Sequence, residues 1–200
     1  MRELVLPVLF NMLRSSSVEV GAILWNNNIL PEVIKLLSDQ SWCADACGCL
    51  GMWLVADSEK NVRQDLLKPE NVLLLKNVLS AHRESTNFPK ILATYTTLAQ
   101  SDNELATALV NKGAAGDVLN SIQREKKSFT RVALMRLLLA LYKNAEVGRT
   151  DVSAIRESAI LLKKTVAHDT SAMVKNISKE IISIIDKHIT ASSKPERQPQ

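Results

Sequence analysis

The stretch KILATYTTLAQSDNELATALVNKGAAGDVLNSIQ, running from Lys90 to Gln123, decides the fold. Three short apolar-periodic segments follow one another in it, separated by Ser101-Asp102-Asn103 and by Asn111-Lys112-Gly113. Ile91, Leu92, Tyr95, Leu98 and Ala99 recur at three- and four-residue steps, the period of one helix face. Leu105, Ala108 and Leu109, then Val118, Leu119 and Ile122, repeat that spacing on two further short helices. Asp102, with Asn103 as the alternative, is placed to cap the second helix. Gly113 stands where a helix-terminating residue of positive φ is expected.

Displaced by 43 residues, this stretch falls on its own upstream neighbour. Ala56 lands on Ala99, Ser58 on Ser101, Val62 on Leu105, Leu66 on Leu109, Leu75 on Val118 and Leu79 on Ile122. A period near forty built from short helices is the signature of an α-solenoid. The wording LAQSDNELATALVNKGAAGDVLNSI, coming after a long helix, resembles the armadillo repeat. That resemblance implies an all-α, right-handed α-solenoid of armadillo-like helical repeats. It also implies that the third helix of each repeat, here about 42–56, 90–100 and 130–143, lines a concave groove for an extended peptide or a partner protein.

Upstream, Pro89 opens the long helix and residues 83–88 form a polar loop. Pro69 divides a short helix (61–68) from a longer one (71–82), and Asp39 or Ser41 caps a helix over 42–56. Asn26, Asn27 and Asn28 suit a turn, since asparagine tolerates the left-handed conformation; their other reading is a polar recognition ladder. The apolar segment 4–14 is interrupted by Pro7 and reads as a helix of the domain, not a signal peptide. Downstream, residues 124–128 form a charged loop or helix end, and residues 129–143 a strongly apolar helix. Two closing helices follow, 152–168 and 171–189, the last with Ile177, Ile181, Ile184, Ile185 and Ile189 on one face.

The expected organisation is one armadillo-like domain over 1–190. It has an irregular N-terminal half repeat (1–29), about three repeats (30–168) and a capping helix (171–189). Residues 191–200 hold no core-forming side chain and are expected to be a disordered tail. An irregular first repeat and a polar tail suit a segment of a longer array, or a regulatory region appended to a larger signalling protein.

Composition supports a packed helical chain. Of 200 residues 46% are hydrophobic and only 4% aromatic, so Leu, Ile, Val and Ala must fill the core. Residues 1–100 carry net charge −1 and residues 101–200 net charge +5, a mild and local excess. No run of apolar residues reaches membrane-spanning length. Three cysteines within seven residues do not make a secreted disulfide framework, and a cytoplasmic or nuclear location fits them better.

Few residues suggest chemistry. Cys43 and Cys47 share a helix face, but Cys49 points elsewhere and one helix cannot converge four zinc ligands; buried core thiols are expected. His82, His168 and His188 are scattered, and none is set beside a nucleophile. No phosphate-cradling, zinc-protease or nucleophile-elbow motif occurs, so neither enzyme activity, cofactor nor metal is expected. A second reading takes Arg124, Lys126, Lys127 and Arg131, with Lys163 and Lys164, as a phosphate-neutralising stripe on a nucleic-acid-binding solenoid. Interspersed acids and scarce aromatics favour a protein partner instead.

The nuclear-import adaptors of the armadillo family carry a Trp and an Asn four residues apart on their third helices. The corresponding positions here hold Leu50 and Leu54, Ala93 and Thr97, and Arg136 and Ala140, so that peptide clamp is missing. The expected role is a protein-interaction adaptor or scaffold, with Tyr95, Thr97, Arg131, Arg136 and Lys143 as exposed partner contacts.

Overall fold

Every regular element among the described residues of the computed structural model is helical. The structure describes residues 8, 11, 12, 18–57, 59–146, 149–167 and 169–192. Most of the segment 4–14, together with His168 and residues 193–200, lies outside them.

The helices come in triplets of similar order. The first comprises α1 (Val18–Asn26), α2 (Leu30–Lys35, continued by a 3-10 turn Leu36–Ser38) and α3 (Cys43–Ala56). The second comprises α4 (Asn61–Leu66), α5 (Pro69–Ala81) and α6 (Phe88–Ser101), and the third α7 (Asn103–Asn111), α8 (Ala114–Arg124) and α9 (Ser128–Asn144). Two long helices close the chain, α10 (Val152–Val166) and α11 (Ala172–Ser192). Ala191 and Ser192 thus belong to α11, not to a tail. None of these helices is long and apolar enough to cross a membrane.

Aspartates start five of the described helices. Asp39 accepts from the backbone N–H groups of Ser41 (2.8 Å) and Trp42 (3.2 Å) just ahead of α3. Asp57 receives the N–H groups of Asn61 and Arg63, both at 3.0 Å, at the head of α4. Asp102 caps α7 through Leu105 N–H (2.8 Å), Asp151 caps α10 through Ser153 N–H (2.9 Å), and Asp169 takes Ser171 N–H (2.8 Å) ahead of α11. Each satisfies a donor that the helix itself cannot, and contributes about 1 kcal/mol. Between α7 and α8 the chain turns at Gly113, whose φ of 84° would strain any residue with a Cβ. Asn28 makes the turn before α2 in the same left-handed region, at φ 56°.

The residues divide into two compact units, Met1–Ser101 and Asp102–Gln200. In the first, α3 and α6 pack side by side, with α2, α4 and α5 around them. Leu50, Leu92, Leu98 and Ala99 have no exposed surface, and Gly51 lets the helices close: a Cβ there would lie 3.2 Å from Thr94 Cγ2. In the second unit α9 is covered by α7, α8 and α11, and α10 packs on α8 and α11. Leu137, Leu138, Ile181 and Ile185 are fully buried there. Burying one such side chain stabilises the fold by about 1.5–3 kcal/mol.

The thiols form part of this core. Cys43, Cys47 and Cys49 are buried and free, and no group of three metal-ligating side chains occurs among the described residues. Cys47 donates to Cys43, which draws the Cys43 thiol below its usual pKa. That bond, followed by burial, pushes Cys47 well up.

Candidate functional site

The long helices α3 and α6 run in the same direction. Lys90 at the start of α6 meets Asp45 at the start of α3 through a 2.7 Å ion pair. Further along, Gly51 approaches Thr94 and Leu98. Side chains that project from the pair therefore stand at matched heights along both helices.

Beyond the ion pair the two helices leave an open trough of about 460 Å³, lined by Gly48, Gly51, Met52, Val55, Ala56, Thr94 and Thr97. No charged residue lines it. Its floor is low because Gly48 has no side chain and a Cβ there would meet nothing within 4 Å. Val55, near the C-terminal end of α3, is 65% exposed at one side. The two threonine hydroxyls donate back into their own helix, Thr94 to Lys90 O and Thr97 to Ala93 O, both at 3.2 Å. Their donors being used, these threonines offer methyl groups and acceptor lone pairs. Such a surface can seat an aliphatic side chain and orient a neighbouring peptide N–H; it offers no acid, base or nucleophile.

In the second unit α9 exposes a stripe with Phe129 (74% exposed), Arg136 and Lys143. Arg136 and Lys143 stand two turns apart on one side of the helix, and neither has an ion-pair partner among the described residues.

Of the five expected contact residues, Thr97, Arg136 and Lys143 are exposed and two are corrected. Tyr95 is buried, 1% exposed, because it lies on the apolar stripe of α6 and its hydroxyl finds a partner inside, donating to Leu75 O at 2.7 Å. Burial raises its pKa, so the phenol stays protonated. Arg131 turns inward to Asp169, whose side chain is 2% exposed, and thereby ties α9 to the start of α11. The groove positions on α3 shift as well: Leu50 and Leu54 are core residues, and Met52 and Val55 face the trough. His82 and His188 are buried too, His188 with its Nδ1 3.4 Å from Thr150 Oγ1. Sequence reasoning missed Gly48, Met52 and Val55. The signal available was a Gly-x-x-x-Met-x-x-Val spacing on one side of α3.

Compared with protein-family models, with curated proteins and with solved structures, the chain matches none.

Proposed function

We propose that this chain is a protein-interaction module of armadillo-like helical repeats, which binds a partner protein or an extended peptide on the faces of its long helices. The trough between α3 and α6 carries the reading: an open, uncharged, aliphatic surface held on two rigid parallel helices. Apolar area left in water at a helix pair is recovered when a partner covers it, at about 25 cal/mol per Å² before the costs of association. In the second unit the exposed Arg136 and Lys143 favour a partner with acidic residues. The succession of short, intermediate and long helices in α4–α6 and α7–α9 supports the armadillo-like assignment.

The test is affinity capture from cell extract with the purified chain and its Val55→Asp variant, at low and high salt, with and without nuclease. A discrete protein retained by the parent through nuclease and moderate salt, and lost by Val55→Asp at unchanged melting temperature, supports the adaptor role. Recovery of nucleic acid alone, released by salt and indifferent to Val55→Asp, overturns it in favour of phosphate contacts from the lysines of the second unit.

A further inference from the structure

A second cavity, of about 270 Å³, opens in the second unit between α8 and α10, with Tyr142 of α9 at its base. Val110, Ala115 and Leu161 give it apolar walls, and Asn120, Glu157, Ser158 and Tyr142 bring polar groups to it. Glu157 is the one charged residue of this lining. It is exposed, with no ion-pair partner among the described residues, and Asn120 likewise has no side-chain hydrogen bond among them. Tyr142 and Ser158 are both buried. Gly113 and Gly116 edge the opening, and a Cβ at either position would meet nothing within 4 Å.

We propose that this cavity binds a cationic group on an aliphatic stem, the ammonium or guanidinium end of a lysine, an arginine or a free alkylamine. The apolar walls take the methylenes, as they take the stem of any snorkelling basic side chain. The cation reaches the Glu157 carboxylate, and Asn120 Oδ1 and the Ser158 hydroxyl oxygen are further acceptors for its N–H groups. An anionic ligand meets the full charge of Glu157 at the same place. The positive end of α8, whose first turn borders the cavity, amounts to about half a unit charge and is already faced by Asp117 of that turn. Glu157 therefore sets the sign. This site is separate from the trough of α3 and α6, and it stands or falls independently of the adaptor reading.

The experiment is an amide chemical-shift titration of the isotopically labelled full chain with N-acetyl-lysine methylamide, its uncharged norleucine analogue, its glutamate analogue and n-butylamine. Saturable shifts at Gly113, Gly116, Asn120 and Leu161 are expected for the lysine probe, with the norleucine probe about tenfold weaker, the worth of one charge-assisted hydrogen bond. Glu157→Gln removes that preference. Gly116→Leu fills the cavity and abolishes the shifts while the melting temperature stays level or rises. Equal binding of n-butylamine assigns the site to free amines, and tighter binding of the lysine probe assigns it to a peptide-borne side chain. Norleucine or glutamate probes binding as tightly as lysine, Glu157→Gln without effect, or no saturable shift with any probe would each overturn the proposal.

Discussion

The hydroxyl of Tyr95 donates a 2.7 Å hydrogen bond to the backbone carbonyl of Leu75, twenty residues earlier, and so joins the long helix of its triplet to the middle one. The Leu75 carbonyl sits within α5, so the phenol adds a second bond to an acceptor with two lone pairs. Tyr95→Phe keeps the ring and is expected to cost about 1 kcal/mol, whereas Tyr95→Ala leaves a cavity and costs about 3–5 kcal/mol. Urea denaturation of both variants checks this; a Tyr95→Phe protein as stable as the parent would show that the hydroxyl contributes nothing.

Arg131 and Arg136 lie little more than a turn apart on α9 and are expected to behave oppositely. Arg131→Gln strands the buried Asp169 carboxylate and should destabilise the chain by about 3 kcal/mol. Arg136→Glu alters an exposed side chain and should stay within about 0.5 kcal/mol of the parent while weakening partner capture. Thermal melts of the two proteins separate the structural arginine from the exposed one.

His188 gives the fold an acid-side weakness. Burial lowers its pKa below the usual histidine value, and a hydrogen bond to the Tyr142 backbone opposes that only in part. The neutral ring is thus favoured in the folded state. Stability is full above about pH 6.5, the unfolded value, and falls as acidification protonates the unfolded chain first. Melting temperatures measured from pH 7.5 to 5 should decline more steeply for the parent than for His188→Gln; parallel curves would remove His188 as the cause.

The three thiols are sealed in the core. A chromogenic thiol reagent should therefore find none of them in the native protein and all three after denaturation. Rapid labelling of the native chain would mean that α3 opens readily at its N-terminal end.

Local signals in the sequence were enough for the helical class and for the turns. Asp102 caps α7 through Leu105, Gly113 turns with positive φ, and Asn28 does the same before α2. These features depend on neighbours within a few residues. The faces of the helices were harder to read. α3 is apolar almost all round (ACGCLGMWLVA), so its periodicity does not choose between Leu50 and Leu54 or Met52 and Val55 as the exposed pair. Arg131 reads as a surface cation until Asp169, 38 residues away, is seen to receive it. Tyr95 sits on the apolar stripe yet has a polar tip, and only the position of the Leu75 carbonyl shows which property prevails.

The parallel course of neighbouring long helices has a kinetic consequence. Asp45 and Lys90 are 45 residues apart in sequence, and Arg131 and Asp169 are 38 apart. Each such tie closes a loop of similar length, which the intervening short helices partly pre-shorten. The entropic penalty of closure rises only by about 0.6 kcal/mol per doubling of loop length, so no single tie sets a bottleneck for its unit. Nucleation is therefore expected at whichever adjacent helices first meet, with refolding rates closer to those of helical bundles than of sheet proteins of the same size.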